Sequence, residues 1–592
     1  MAGWTFQKHK TNNIYRAKAA AIVLLMILSV AIFQAEQTES LYPWVPVAVV
    51  TSTFTTLAVG RGLDFRVWVL FAVGLGTIYR LFLYLWPSSY IGLDPDRVAA
   101  AVNRVAFSGQ IESISGLGFY RNAPLFHIYT AEVAHISGVS VKTAFAVYAL
   151  LLGVLGPIVS AYIAAQLAPD EYTRMAAGLA ATLGAVGVMT WKFAYWPLPQ
   201  ILAVLFWAGY LIAFFRLISQ PSRRNWVPIY FFLIGLFFTH KLGVLICAIA
   251  SLMALLIRTS MSFRASGLNN LTHDPVLLKS GIIALALFLI QFMWLTEWIR
   301  SVFLTVLLPL LGERVSASPP APPSFTQAIP LNRGIVGTVV GNVGWLVLTG
   351  LAALATPIMW WFRQDTRSAA VVGVVVAHGV TIGFALLSTN LSLERLLLLS
   401  EWSFSALVVL SGFWVGHSLV RSELVDTISA HQNTVQSVVI GALIVFAGGL
   451  ILAQVATVTV TPDHPAGPRW HLTNSELHSK MSMTDYAPND VGMDGFYAHE
   501  LTPSQTEIFG IPYRTGHATA TPGTAPLNGS LLNGSFNQKY VAIRPGVDRV
   551  RGPLGGYQLQ YNPSQHMSQS AGYNKVYSSN GAALYQRNRT EG

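Results

Sequence analysis

Two carboxylates begin a helical pattern in the stretch YIGLDPDRVAAAVNRV, residues 90–105. Asp94 stands directly before a proline, and Asp96 directly after it. A carboxylate held in place can accept a proton from a reacting hydroxyl group, so the pair is a candidate for proton-transfer catalysis. The same pattern also starts a helix well, because Asp at the cap, Pro at the first helical position and Asp in the first turn all stabilise a helix N-terminus. Ser or Asn would cap equally well, so capping alone does not explain a carboxylate pair.

Cationic side chains beside apolar runs are the second group that could do chemistry. His240 and Lys241 interrupt the long apolar run WVPIYFFLIGLFFTHKLGVLICAIASLMALLIR, and Arg395 opens the run LERLLLLSEW. A lysine at membrane depth is costly and usually faces a cavity or a partner. Two alternatives stay open: Lys241 could extend its amine to the lipid head groups, and Arg395 could pair with a neighbouring glutamate.

The composition indicates the class of protein that carries these residues. Of the 592 residues, 53% are hydrophobic and only 11% are charged, whereas soluble domains carry about 25% charged residues. The chain is therefore predicted to be an α-helical polytopic membrane protein. The single cysteine excludes a disulfide framework. The net charge of +11 lies mostly in short loops between apolar segments, where it sets orientation, so no nucleic-acid partner is expected.

About 13 segments are long and apolar enough to be membrane spans. The run around His240-Lys241 is interpreted as two short helices meeting at that dipeptide, because this keeps the basic loops on one side. The N-terminus is then cytoplasmic, and the segment 88–141 and the C-terminus are external. The predicted spans are 18–34, 42–60, 66–87, 142–167, 172–190, 199–218, 228–239, 241–257, 280–297, 335–361, 369–388, 396–416 and 435–457.

Two further external segments are predicted from composition. The polar tail is rich in Gly, Asn, Ser, Tyr and Pro and has alternating stretches such as KYVAIRPGV, which indicates a small β-rich domain. The domains are thus a transmembrane domain over 1–457 and an external domain over 458–592. The loop 298–334, which contains Glu313 and the sequence SPPAPPS, is long enough to be functional.

Several of these stretches resemble the GT-C superfamily of membrane glycosyltransferases, over roughly residues 66–420. They are GLDPDRVAAAVNRVAFSGQI, YRNAPLFHIYTAEVAHISGVS, AYWPLPQILAVLFW, the HKL between two short helices, and LERLLLLSEWSFSAL. The resemblance implies an inverting glycosyltransferase that takes a sugar from a polyprenyl-phosphate or dolichyl-phosphate carrier. The acceptor is then a lipid-linked or protein-linked glycan on the external face of the cell membrane.

The resemblance also implies roles for individual residues. Asp94 takes the place of the catalytic carboxylate, which acts as general base or positions the acceptor hydroxyl, and Asp96 completes a D-x-D-like pair. The loop 298–334 would close over the site. The predicted lipid-phosphate ligands are His240, Lys241, Arg395 and Arg80, the last of which could instead pair with an acidic neighbour; the predicted substrate-binding residues are Arg121, His127 and Glu313.

Other classes of protein remain as alternatives. An oligosaccharyltransferase-like enzyme would fit the span count, but no W-W-D-x-G sequence occurs in the tail. The external loop WKFAYWPLP also lacks a second acidic pair, so no metal site is assigned, although a divalent metal remains an option. The chain could instead be a transporter or flippase of lipid-linked sugars, or a scaffold in which Asp94 only caps a helix. In these alternatives the acidic motif has no catalytic role.

Overall fold

The computed structural model describes most of the apolar segments and much of the tail. Glu313 and most of the predicted first span lie outside the described residues. The described residues are 15, 18, 19, 21–23, 25, 26, 44–60, 64–85, 89–90, 94–114, 119–266, 274–295, 325–330, 342–387, 393–420, 432–460, 472–486, 491–499, 524–545, 547, 549–552 and 555–588.

Helices dominate the described part of the chain before residue 461, as long apolar runs without β-type alternation require. Shorter helices return in the C-terminal region. In chain order they are α1 (Trp44–Gly60), α2 (Phe65–Leu85), α3 (Asp94–Ser108), α4 (Phe119–Asn122), α5 (Leu125–Ser137), α6 (Val141–Leu167), α7 (Thr173–Ala185), α8 (Val188–Ala194), α9 (Pro199–Ser219), α10 (Arg223–Phe237), α11 (Gly243–Ser266), α12 (Pro275–Leu295), α13 (Val343–Phe362), α14 (Thr366–Leu387), α15 (Leu393–Val420), α16 (Gln432–Val460), α17 (Asn474–Tyr486), α18 (Gly495–His499), α19 (Asn528–Asn533) and α20 (Pro563–Gln569).

The protein is a multi-pass membrane protein by the length and composition of these helices. Within the described residues, eight helices are long and apolar enough to cross a bilayer, or nine if a bent pair counts as one span. The predicted number of 13 is therefore not confirmed. The sidedness of the termini stays a prediction.

The predicted span 172–190 is not one straight helix. It consists of α7 and α8, and the segments Asp170–Ala185 and Val188–Ala194 meet at an angle of 43°. The new helix begins where Glu401 of α15 accepts hydrogen bonds from the backbone N–H groups of Met189 and Thr190, at 2.8 and 2.9 Å. A carboxylate at this position satisfies the N–H groups that a helix start leaves unpaired.

The predicted break at His240-Lys241 is present. Helix α10 ends at Phe237 and α11 begins at Gly243, so the dipeptide lies in a connecting turn. We refer to residues 238–242 as the HKL turn.

Helix α3 is more deeply buried than an amphipathic helix on a membrane surface. The apolar stripe of Val98, Ala101, Val102 and Val105 is buried, and so are the alanines at positions 99 and 100. The helix packs against α5 and α6. Its N-terminal half is therefore held from several sides, which fixes the acidic first turn.

The C-terminal region forms two small sheets, as the alternating tail predicted. The larger has the order β3-β2-β4-β8-β7, with β2 parallel to β3 and β4 and the other pairs antiparallel; the smaller is antiparallel, with the order β1-β6-β5. The strands are β1 (Ala328–Pro330), β2 (Val491–Met493), β3 (Thr524–Pro526), β4 (Tyr540–Ile543), β5 (Arg549–Gly552), β6 (Gly555–Leu559), β7 (Tyr573–Ser578) and β8 (Ala583–Arg587).

Strand β1 comes from the loop 298–334 and not from the tail. It pairs with β6, where Ala328 faces Leu559. The backbone N–H of Gln560 donates to the carbonyl of Gln327 at 2.9 Å, and the Gln327 N–H donates to the Leu532 carbonyl at 3.2 Å. The C-terminal sheet therefore includes a segment that the predicted boundary at 458 leaves out, and it fixes one end of the loop.

An aromatic contact strengthens this attachment. Phe325 meets Tyr557 edge to face, with 5.0 Å between ring centroids. Such a pair contributes about 0.5–1.5 kcal/mol beyond the burial of its surface, so Phe325→Ala is expected to speed hydrogen exchange of the Gln560 amide by about tenfold. Exchange measured by mass spectrometry checks this. The control is Ile329→Ala, whose side chain is 51% exposed; equal exchange in the two variants would contradict the attachment.

Candidate functional site

Hydrogen bonds from two other helices hold the HKL turn in place. The Leu125 N–H, at the start of α5, donates to the Phe238 carbonyl at 3.2 Å. The side-chain amide of Gln291 on α12 donates to the Phe237 carbonyl at 2.7 Å. These carbonyls belong to the last turn of α10, whose acceptors a helix cannot satisfy internally. The turn is thereby joined to the segment 88–141, which carries the acidic motif.

His240 presents an unused hydrogen-bond donor in this turn. Its Nδ1 accepts the Leu242 N–H at 3.4 Å, which assigns the proton of the neutral ring to Nε2. The ring is 1% exposed, and Nε2 has no hydrogen-bond partner among the described residues. Burial lowers the pKa of His240 well below its usual value, and the charges of Lys241 and Arg395 lower it further. The ring is thus neutral, with its Nε2–H available to an anion.

Lys241 and Arg395 supply positive charge close to this ring. Burial lowers the pKa of the Lys241 amine to about 7, and the Arg395 charge adds to the shift. Lys241 lies two residues before the start of α11, and Arg395 lies in the first turn of α15. The N-terminal end of a helix favours a bound anion. The two cations, the two helix N-termini and the His240 Nε2–H are thus all groups that favour a bound anion.

Tyr120 connects this cationic group to the acidic motif. Burial raises the pKa of the Tyr120 phenol to about 12, the Arg395 charge lowers it, and the Asp94 charge raises it. The phenol therefore lies within the electrostatic range of both Asp94 and Arg395. Asp94 is half-buried in the first turn of α3, and Asp96 in the same turn is 3% exposed.

The predicted substrate-binding residues have different surroundings. His127 is fully buried, and its ring centroid lies 5.9 Å from that of Tyr120. Burial lowers the pKa of His127 to about 4, with a contribution from Arg104, and neither ring nitrogen has a hydrogen-bond partner among the described residues. Arg121 is exposed on α4. Both assignments stay predictions, and Glu313 lies outside the described residues.

Arg80 lies in a separate buried network. Its Nη1 donates to the Ala185 carbonyl at 2.7 Å, and its Nη2 donates to the Thr190 hydroxyl at 2.6 Å. The Thr190 hydroxyl in turn donates to Glu401 Oε2 at 2.8 Å, and the Glu401 charge acts on the arginine. Glu401 is thus the acidic neighbour of Arg80 that the sequence analysis gave as an alternative. The predicted role of Arg80 in phosphate binding stays a prediction.

The sequence did not single out Tyr120, and it named Glu401 only as an alternative partner of Arg395. Tyr120 stands beside Arg121, so an aromatic residue next to a candidate ligand is the signal that could have found it. Glu401 is the acidic residue within the apolar run of α15, and a buried carboxylate in a span requires a partner. In the part of the chain that the structure describes, no three His, Cys, Asp or Glu side chains are grouped as metal ligands.

Comparisons with known proteins give solved structures of similar architecture. No family profile matches the chain, and no curated protein matches it in sequence. An oligosaccharyltransferase from Archaeoglobus fulgidus, tethered to an acceptor peptide, has a TM-score of 0.44 at 12% identity, over 88% of this chain and 74% of that one. ArnT from Cupriavidus metallidurans, bound to undecaprenyl phosphate, has a TM-score of 0.44 at 13% identity, over 88% and 98%.

A third similar structure is the arabinofuranosyltransferase AftD from mycobacteria. Its TM-score is 0.39 at 13% identity, and the match covers 90% of this chain and 41% of that one. Two of the three proteins are named as transferases of glycans or sugars, and the third is bound to undecaprenyl phosphate.

Proposed function

We propose that the protein is a membrane glycosyltransferase that moves a sugar from a polyprenyl-phosphate donor to a lipid-linked or protein-linked glycan. The observation that carries the proposal is that the Arg395 charge acts on His240 and Lys241 and, together with the Asp94 charge, on Tyr120, while the HKL turn is hydrogen-bonded to the start of α5. A transfer of this kind takes a proton from a hydroxyl group and releases a phosphate. The site has one set of groups suited to each.

The cationic side of the site would bind the phosphate of the donor. Lys241 and Arg395 supply charge, His240 Nε2–H donates one hydrogen bond, and the ends of α11 and α15 add their dipoles. These groups also stabilise the negative charge that collects on the phosphate as it leaves. The prenyl chain would remain in the bilayer beside the apolar helices.

The acidic side would act on the acceptor. Asp94 accepts the proton of the acceptor hydroxyl. At the same time the hydroxyl oxygen bonds to the anomeric carbon, and the bond between that carbon and the phosphate oxygen breaks. A single displacement of this kind inverts the anomeric configuration. One placed base contributes about 10²–10⁴-fold to such a step. The fixed position of α3, buried on several sides, supports this use of the carboxylate.

Proton uptake on phosphate binding tests the cationic side. Since the pKa of Lys241 is about 7 in the free protein, the amine is mostly neutral at pH 8 and mostly charged at pH 6. An anion favours the charged form, so binding should take up close to one proton at pH 8 and almost none at pH 6. Calorimetry with farnesyl methyl phosphate, a diester whose own charge does not titrate, in two buffers of different protonation enthalpy measures the uptake.

Matched variants identify the group that takes up the proton. Lys241→Arg keeps the charge at all pH values, so it should still bind the diester but without proton uptake. Lys241→Gln should weaken binding by about 10–100-fold, the usual cost of one hydrogen bond to a charged group. Proton uptake that persists in Lys241→Arg would show that another group titrates, and wild-type affinity in Lys241→Gln would rule out this phosphate site.

A further inference from the structure

The C-terminal region contains a cleft that the proposed transfer reaction does not use. Its volume is about 660 Å³, within the range of roughly 300–1,000 Å³ that small-molecule sites occupy. It lies between the end of β4, the start of α20 and the loops before β8. Polar and aromatic residues line it, including Arg544, Gln560, Tyr561, Asn562 and Ser564.

Of the thirteen residues that line the cleft, five carry neutral hydrogen-bonding side chains and seven are apolar. Gln560 and Asn562 are exposed and carry amides, and Ser564 carries a hydroxyl. Asn562 uses its side-chain oxygen to cap α20, accepting the Gln565 N–H at 3.2 Å, and this bond does not involve its amide N–H groups. Amides and hydroxyls donate and accept together, which suits a ligand rich in hydroxyl groups.

Tyr561 adds an ordered aromatic ring to the cleft. Its hydroxyl donates to the Leu531 carbonyl at 2.9 Å, and its ring packs edge to face on His566 with 5.3 Å between centroids. An aromatic ring provides a flat apolar surface with little conformational entropy to lose. The C–H face of a sugar ring matches such a surface.

Among the described residues that line the cleft, only Arg544 is charged, and two carboxylates beside it offset its charge. Arg544 is 4% exposed; its Nε donates to Asp494 Oδ2 at 2.7 Å, and its Nη1 lies 3.6 Å from Glu476 Oε1. Nη1 has no hydrogen-bond partner among the described residues. With two carboxylates beside it, the guanidinium brings little net positive charge to the cleft. The cleft therefore favours a neutral ligand over a phosphate or another anion.

The cleft also adjoins the attachment of the loop 298–334. Gln560, which lines it, is the residue whose N–H donates to the Gln327 carbonyl. Another contact leads toward the acidic motif, because the Leu472 N–H donates to the Ser89 hydroxyl at 2.7 Å, five residues before Asp94. The C-terminal region is thus joined both to the loop and to the segment that carries the proposed base.

We propose that this cleft is a binding site for a neutral saccharide, and that it holds part of the acceptor glycan. The second half rests on the proposed function, whereas saccharide binding itself does not. A hydroxyl-rich ring would lie on Tyr561, with its hydroxyl groups bonded to the two amides and the serine. The region would then keep an acceptor close to the membrane domain between reactions.

Binding of the full-length protein in detergent to a printed array of neutral and acidic oligosaccharides tests the site. We expect neutral oligosaccharides to bind and acidic ones to be disfavoured. Gln560→Ala should weaken the best neutral probe by about fivefold, the value of one neutral hydrogen bond. Ser564→Phe should fill the cleft and abolish binding.

Two substitutions on the same helix serve as matched controls. Gln565 and Ser568 are exposed and do not line the cleft, so Gln565→Ala and Ser568→Phe should bind as the wild type does. No bound neutral oligosaccharide, or equal binding by Ser564→Phe and Ser568→Phe, would overturn the proposal. Saccharide binding should persist in Asp94→Asn, so a failure here is distinguishable from a failure of the transfer reaction.

Discussion

Replacing Asp94 by asparagine is expected to reduce sugar transfer by about 10²–10⁴-fold, the usual contribution of a placed general base. Asparagine caps a helix about as well as aspartate, so the fold and the affinity for the donor should stay unchanged. The measurement is transfer of radiolabelled sugar from a polyprenyl-phosphate donor into the glycans of membranes whose only copy of the protein carries the variant.

Asp64 provides the matched control for this substitution. It precedes α2, and its carboxylate accepts the Arg66 N–H at 2.9 Å, so it caps a helix outside the proposed site. Asp64→Asn should transfer sugar at the wild-type rate. Full activity in Asp94→Asn would leave Asp94 as a helix cap only, whereas equal losses in both variants would indicate a structural effect.

The substitution Glu401→Gln is expected to lower the free energy of unfolding by about 3–5 kcal/mol, the cost of leaving a buried charge uncompensated. Glu401 is 3% exposed and Arg80 is 1% exposed, and Thr190 joins them by hydrogen bonds. A neutral glutamine side chain at this position would leave the guanidinium without a counter-charge. Unfolding in detergent, followed by tryptophan fluorescence, measures the loss.

A double-mutant cycle separates this network from a role in phosphate binding. Arg80→Gln combined with Glu401→Gln should recover much of the stability, because no unpaired charge remains. The control Glu132→Gln changes an exposed carboxylate on α5 and should have almost no effect. If Glu401→Gln is as stable as Glu132→Gln but binds the donor differently, Arg80 belongs to the phosphate site.

The sequence predicted those features that depend on local pattern. The apolar runs 142–167 and 199–218 match α6 and α9 within a residue, because a span needs an uninterrupted apolar stretch. The helix start at Asp94 was predicted from the pattern Asp-Pro-Asp, which suits a helix N-terminus, and the break at His240-Lys241 from the side on which the basic loops lie.

The features that were not predicted depend on contacts between distant parts of the chain. The sequence near position 187 does not indicate that a new helix begins there with its N–H groups bonded to Glu401. Only the structure shows that the carboxylate needs the space beside Gly187, where an added Cβ would lie 2.3 Å from it. Likewise, the short strand Ala328–Pro330 has no long alternating pattern, and its strand partner lies in the tail. Pairing of this kind is set by the assembled fold and not by local propensity.

Photo-crosslinking with a benzophenone analogue of farnesyl phosphate tests the central claim most directly, since it locates the lipid phosphate on the protein. We expect the probe to label the HKL turn and the first turn of α15. Unlabelled undecaprenyl phosphate should compete with this labelling, and Lys241→Gln should strongly reduce it. Labelling confined to other segments, or labelling of the HKL turn that is equal in the wild type and Lys241→Gln, would contradict it.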